Sequence, residues 1–175
     1  AKECGLPLIL GSEIHLVDGP QLVLLATGRE GYGNLSELIT RGRRRGVKGR
    51  YVLEAQDLDQ GLPGCLALLL PGAAPDLAHA HWLAERFAGC AWIAVDLLCG
   101  AKDRARLAAL RELGEACALP LVAAGDVHMH LRSRRKLQDT LTAIRLTKPL
   151  ARCGLALHPN AERHLRLRLR LANLY

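Results

Sequence analysis

The sequence has few aromatic residues, no Cys-x-x-Cys pair and no long uninterrupted apolar run. Aromatic residues make up 3% of the 175 residues although 50% are hydrophobic, so the core must consist mainly of Leu, Ala, Val and Ile. No apolar segment approaches the roughly 20 residues that span a bilayer, and no signal-peptide pattern is present. These absences predict a cytoplasmic protein with no membrane partner, of the size of one ordinary globular domain.

Other absences narrow the chemistry. The six cysteines have no framework spacing and lie mostly in apolar runs, which predicts buried thiols in a reducing compartment. No Gly-x-Ser-x-Gly elbow occurs, and the segment from Gly31 to Gly33 lacks the spacing of a phosphate-binding loop. We therefore expect a turn into a helix at these glycines, and no nucleophilic catalysis.

Positive charge is abundant and unevenly placed. The formal net charge is +7, and most of the excess lies in residues 41–50, 132–136 and 163–170. Such clusters attract polyanions, although a solvated basic face would have the same composition. No aromatic residues are interleaved with them, so a base-stacking platform is not indicated. The predicted nucleic-acid-binding residues are Arg43, Arg44, Arg45, Arg134 and Arg135.

Strand-like and helix-like segments alternate along the chain, which is typical of an α/β protein built from parallel βα units, in an open sheet or a barrel. The first two strands are predicted to form a hairpin about the turn at 18–20. The first helix is expected to be capped by Asn34 or Ser36 and to be followed by a basic loop over 41–48. Further predicted strands are 66–70, 91–98 and 121–124, and further predicted helices are 76–87, 103–117 and Ser133 to about 146.

The most informative segment follows the strand at 121–124. There Asp126, His128 and His130 occupy alternate positions, and alternate residues of an extended segment point the same way. One carboxylate and two imidazoles suit zinc, manganese or iron. The alternative is a strand end whose histidines merely form hydrogen bonds.

Polar residues at other predicted strand ends enlarge this candidate site. Glu13 and His15 end the first strand, and Cys99 follows the strand at 91–98. Functional residues in parallel βα folds lie at the carboxyl ends of strands, and a metal held there could hydrolyse a phosphoester. Cys99 could equally be a buried strand residue. His79 and His81 lie two apart on a predicted helix and cannot readily share a metal.

Four motifs, in order, resemble the PHP (polymerase and histidinol phosphatase) domain of bacterial C-family DNA polymerases. They are Gly11-Ser-Glu13-Ile, Leu22-Val-Leu-Leu-Ala, Gly31-Tyr-Gly-Asn-Leu-Ser-Glu-Leu-Ile-Thr and Leu121-Val-Ala-Ala-Gly-Asp126-Val-His128. Two later segments look most like the error-prone, translesion branch of the DNA polymerase III alpha subunit. These begin Arg134-Arg-Lys-Leu-Gln-Asp and Pro159-Asn-Ala-Glu-Arg-His.

The resemblance implies a distorted (βα)7 barrel with a metal cluster at its carboxyl rim. Glu13 matches the family's Gly-x-Glu ligand, Asp126 and His128 match its last Asp-x-His pair, and Cys99 lies near a family histidine position. The family's opening His-x-His strand has no counterpart. We therefore expect residues 1–148 to form a partial PHP domain with an incomplete zinc, manganese or magnesium site. Residues 149–175 would form a helical segment leading toward polymerase modules.

The leading functional hypothesis is a fragment of an error-prone DNA polymerase III alpha subunit, a nucleotidyltransferase of DNA replication and repair that copies damaged DNA. The fragment would act as a scaffold or an accessory metal site and would be inactive alone. Its expected partners are DNA, other polymerase modules, DNA-repair proteins and a second copy of the chain, which could cover an exposed strand edge. The alternatives are a metal-dependent phosphoesterase or 3′–5′ exonuclease of PHP type, and a non-catalytic basic module that binds DNA or protein.

Overall fold

A computed structural model describes residues 1–175 and contains one five-stranded sheet with helices, which confirms the α/β class. The strands, adjacent in numerical order, are β1 (Leu10–His15), β2 (Gln21–Ala26), β3 (Cys65–Leu69), β4 (Ala91–Asp96) and β5 (Leu121–Ala124). The helices are α1 (Arg29–Arg45), α2 (Leu77–Arg86), α3 (Asp103–Cys117), α4 (Arg135–Leu146) and α5 (Arg168–Ala172). The chain divides into two compact units, residues 1–94 with 108–122 and residues 95–107 with 123–175.

The predicted hairpin of β1 and β2 is confirmed, but the expectation of parallel strands is wrong for the pair β2 and β3. β1 pairs antiparallel with β2, β2 pairs antiparallel with β3, and only then does β3 pair parallel with β4. The reason lies in residues 46–64. In this segment Leu53 O accepts a hydrogen bond from the N–H of Val17, just after β1. Farther along, Gly64 O accepts a hydrogen bond from the N–H of Thr27, just after β2. β3 therefore starts beside the end of β2 and runs against it.

The sheet is open, with β1 and β5 as its edge strands, so a closed barrel is not seen. β1 is one of the two edge strands, and Leu10 at its start is 45% exposed. Dimerisation or strand exchange at this edge stays a prediction.

Leucines and small residues form the core of the first unit. Leu22 and Leu24 alternate along β2 and are fully buried, and Leu35 and Leu38 of α1 are buried with them. Each such side chain contributes about 1.5–3 kcal/mol relative to an exposed one. All six thiols are free, and burial is confirmed for Cys65, Cys117 and Cys153. The prediction is wrong for the other three cysteines, Cys4, Cys90 and Cys99, which are exposed.

α1 differs most from its predicted bounds. Its N-cap is Gly28, so Asn34 and Ser36 lie inside the helix and do not cap it. Gly31 and Gly33 are helical and do not form a turn, and α1 continues through Arg45, where a basic loop was expected. Within the first turn of α1, Gly31 packs against the backbone of Gly64, where a Cβ would lie 1.9 Å from the carbonyl oxygen, and no local sequence pattern indicates this contact.

The later elements agree closely with the prediction. α3 and β5 have the predicted bounds, and α2 starts after Asp76, whose carboxylate accepts hydrogen bonds from the N–H groups of Ala78 and His79. α4 starts at Arg135, after a short 3-10 turn over Arg132–Arg134, so Ser133 is not its cap. None of the helices combines the length and apolar character needed to cross a membrane.

Candidate functional site

Glu13 and His15 lie on one face of β1, as predicted. Glu13 Oε1 is 2.9 Å from His15 Nε2 and 2.5 Å from Gln21 Nε2, the latter residue lying opposite His15 on β2. Both Glu13 and His15 side chains are at least half exposed. The carboxylate is therefore reachable from solvent but already shared by two neighbours, and its role as a metal ligand stays a prediction.

The segment after β5 departs from a regular strand at Asp126, so the extended geometry predicted for Asp126, His128 and His130 does not hold at its first residue. Asp126 has φ +40°, in the left-handed region, and this turns the chain. His128 Nε2 nevertheless lies 3.2 Å from Asp126 Oδ1, so these two side chains do meet. His130 is exposed and is not part of the pair.

A second segment supplies Asp126 with a cation. The N–H groups of His128 and Met129 donate to Arg163 O, and Leu165 N–H donates to Met129 O. This backbone pairing brings the Arg163 guanidinium against Asp126 Oδ2. The two carboxylate oxygens of Asp126 thus face an imidazole and a guanidinium.

Asp96, at the end of β4, belongs to the same charged cluster. It accepts a hydrogen bond from Arg106 Nη2 at 2.9 Å. Burial lowers the pKa of Arg163, and the nearby Asp96 charge acts in the opposite direction. Arginine side chains thus balance the charge of both carboxylates, Asp96 and Asp126. A divalent cation could bind Asp126 through both oxygens only if Arg163 moved away.

His128 also contacts a histidine from the later part of the chain. The rings of His128 and His158 have centroids 4.8 Å apart. Burial, followed by the proximity of His128, lowers the pKa of His158. Arg135, predicted to bind nucleic acid, donates to His158 O at 2.8 Å and lies 3.4 Å from Asp139. Its guanidinium is therefore engaged within the protein.

Cys99 follows β4, is exposed and has φ +57°. No group of three His, Cys, Asp or Glu side chains anywhere in the chain is arranged to hold a metal ion. A divalent cation at Glu13, Asp126, His128 and Cys99 stays a prediction. Asp126 contacts both His128 and Arg163, so these residues form a charged cluster.

The second unit contains a buried ionic network that the sequence did not reveal. Glu162, with a side chain 9% exposed, contacts Arg132 and lies 3.5 Å from Arg166 Nη2 and 3.9 Å from Arg170 Nη2. Arg166 is 1% exposed and also donates to Leu97 O at 2.8 Å. Two of the basic clusters are therefore partly internal. The only available signal was Glu162 itself, an isolated acidic residue four positions before Arg166.

Some of the arginine side chains at the carboxyl-terminal end of α1 form ion pairs, and others do not. Arg45 Nη1 lies 2.6 Å from Asp57 Oδ2, and Arg41 Nη1 lies 3.6 Å from Asp57 Oδ1. Burial alone would raise the pKa of Asp57, but a hydrogen bond from Glu54 N–H and the two arginines outweigh it, and the pKa is lowered. Arg43 lies over the ring of Tyr51, 5.6 Å from its centroid. Arg44 is exposed with no such partner.

Comparison with known proteins identifies relatives that are far longer than this chain. No family model matches it. Proteins named error-prone DNA polymerase are 55% identical over 180 residues in Dechloromonas aromatica and 52% identical over 175 residues in Pseudomonas aeruginosa. Both alignments include all of this chain, which spans 18% and 17% of these relatives. Over its whole length, therefore, the chain belongs with one segment of the error-prone DNA polymerase family.

Proposed function

We propose that this chain is a scaffold segment of an error-prone DNA polymerase and that it supports DNA synthesis past lesions. The observation that carries the proposal is the identity of more than half of its residues, over its full length, to proteins with that name. Because it spans less than a fifth of those proteins, nucleotidyl transfer is assigned to the complete polymerase.

The charged networks support a scaffold role. Glu162, Asp57 and Asp126 each hold arginines from other parts of their own unit, so much of the charge stabilises the fold. The resemblance of the strand motifs to PHP domains supports the view that the open sheet is part of a (βα)7 barrel in the complete protein. The proposal also places the chain in the cytoplasm, with DNA and polymerase modules as partners.

The test is a chimera. The matching segment of the Dechloromonas aromatica protein is replaced by this chain, and primer extension is measured on undamaged DNA and on DNA with an abasic site. We expect the chimera to extend both primers. A matched pair of chimeras carries Gly31→Ala, which disrupts packing against Gly64, or Gly33→Ala, which meets no atom within 4 Å. Only the first should lose activity.

The proposal is wrong if the chimera is folded, as judged by a cooperative thermal transition, and extends neither primer while the parent polymerase does. It is also wrong in its scaffold part if the Gly31→Ala chimera unfolds locally yet retains full activity. A chimera active on undamaged DNA but stopped at the lesion would contradict the translesion part alone.

A further inference from the structure

We propose that the end of α1 and the turn after it form a surface that binds the phosphate backbone of duplex DNA through Arg44, Lys48 and Arg50. We call these three residues the basic turn surface. The inference rests on the proposed function and deepens it, because it selects which basic residues contact DNA and which are internal.

The arginines near the end of α1 fall into two groups, those that form ion pairs within the protein and those that do not. Arg41 and Arg45 are held by Asp57, whose side chain is 2% exposed, so they are tied to the fold. The basic turn surface has no such ties. Its three side chains are exposed and take part in no ion pair or hydrogen bond. Free cationic side chains can neutralise phosphates and thereby release the counterions that are condensed on the DNA.

The acidic groups around the surface are already engaged or absent. Residues 38–53 carry six cationic side chains and no carboxylate. Glu37, just before this stretch, lies 3.2 Å from Arg41, and Asp57 is paired with both of its arginines. The positive charge of the basic turn surface is thus not cancelled locally, which favours a polyanion as its partner.

The backbone of the turn is fixed by contacts with α1. Val52 N–H donates to Gly42 O at 3.0 Å, and Arg50 N–H donates to Val47 O at 2.9 Å. Gly46 lies so close to the backbone of Arg50 that a Cβ there would be 2.8 Å from the Arg50 oxygen. The chain therefore folds back tightly onto the helix end. The three cations are attached to a backbone that is set before DNA binds, which reduces the entropy lost on binding.

The chemistry of the surface favours phosphate contacts without base reading. The ring of Tyr51, the one aromatic residue beside it, has the Arg43 guanidinium over it, and the Tyr51 hydroxyl accepts a hydrogen bond from His15 N–H at 2.8 Å. No free ring is left for stacking on unpaired bases. Binding should accordingly be independent of DNA sequence and strongly weakened by salt.

The experiment measures binding of the 175-residue chain to a labelled DNA duplex of random sequence by fluorescence anisotropy at several salt concentrations. Each phosphate contact contributes about 0.9 to the slope of log K against log salt. Arg44→Ala should reduce the slope by about 0.9, and the triple variant Arg44→Ala, Lys48→Ala, Arg50→Ala by about 2.7. Arg29→Ala is the matched control, because Arg29 is exposed at the opposite end of α1, about 24 Å away along the axis.

Thermal melts establish that all three variants are folded. A triple variant that is folded and retains the wild-type slope would overturn the inference, and so would a wild-type chain that does not bind the duplex at low salt. Polyglutamate competing as well as DNA would also overturn it, in favour of an acidic protein partner. The proposed function would be contradicted by a different result, a folded chimera that extends neither primer. An active chimera with an unchanged salt slope would therefore reject the basic turn surface alone.

Discussion

Arg45, in the last turn of α1, holds the buried carboxylate of Asp57, with 2.6 Å between Nη1 and Oδ2. Asp57 lies in the short 3-10 helix Ala55–Leu58 and also accepts a hydrogen bond from Glu54 N–H. One carboxylate thus joins the end of a long helix to the segment that leads back to β3. The ion pair between Arg45 and Asp57 stabilises the last turn of α1, where the basic run was expected to form a loop.

Removing the Arg45 side chain should destabilise the first unit. Arg45→Ala leaves Asp57 with only Arg41 beside it, and we expect a loss of about 1 kcal/mol, or about 2–4 °C in the melting temperature. Arg44→Ala, which removes the same charge from the neighbouring position, should change the melting temperature by less than about 1 °C. Equal losses in the two variants would contradict the assignment of Arg45 to the fold.

Acid should weaken the same contact. Burial would raise the pKa of Asp57, but the Glu54 N–H and the two arginines lower it below the ordinary value of 3.8. A carboxylate with a lowered pKa stabilises the folded state above its unfolded pKa, and this contribution is lost as the pH falls through the folded pKa. Urea unfolding at successive pH values below 3.8 should therefore show a steeper loss of stability in the wild type than in Asp57→Asn. Parallel pH profiles would exclude this role.

Helix periodicity could locate the middle of α1 but not its start. Leu35 and Leu38 are spaced as residues on one helix face, and both are buried. The spacing of Gly31 and Gly33 does not fit a phosphate-binding loop and predicts a turn into the helix. The reason for a glycine at position 31 is the close approach of the Gly64 backbone, where a side chain would overlap the carbonyl oxygen. A contact between residues that are distant in sequence leaves no periodic signal.

Two alanine substitutions in α1 test this explanation. Gly31→Ala should destabilise the protein by about 3 kcal/mol or more, since the Gly64 oxygen belongs to the backbone and cannot turn aside as a side chain could. Gly33→Ala meets open space in the same helix and should stabilise the protein by up to about 1 kcal/mol. Urea unfolding of both variants gives the comparison. A mild effect at Gly31 would mean that its close packing is not required.

The basic clusters are easy to locate in the sequence, but the sequence does not show which acidic groups they pair with. Residues 163–170 resemble a polyanion-binding tail in sequence, yet Arg166 is almost fully buried against Glu162 and Leu97 O. Arg163 is likewise held by Asp126. Strand β5 and helix α3 were predictable from local pattern alone, whereas the partners of these arginines depend on how the chain returns to β4.

The burial of Arg166 predicts a large difference between neighbouring arginines. Arg166→Met leaves Leu97 O without its donor and removes one cation from buried Glu162, which should cost about 3–5 kcal/mol. Arg168→Met changes the net charge equally, but Arg168 is exposed and has no ionic partner, so its stability should stay within about 0.5 kcal/mol of wild type. Similar melting curves for the two variants would show that the Glu162 network is dispensable.

Competition between Arg163 and a metal at Asp126 gives the last prediction. The Arg163 guanidinium contacts Asp126 Oδ2, and its positive charge opposes a zinc ion held by Asp126 and by His128, whose Nε2 lies 3.2 Å from Asp126 Oδ1. Arg163→Met should therefore raise the affinity for Zn²⁺, measured by isothermal titration calorimetry, by about tenfold, which corresponds to about 1.4 kcal/mol. Adding His128→Ala should abolish the gain, and Arg168→Met should leave the affinity unchanged. If Arg163→Met is folded and binds Zn²⁺ no better than the wild type, Asp126 and His128 are not a latent zinc pair and their contact is structural.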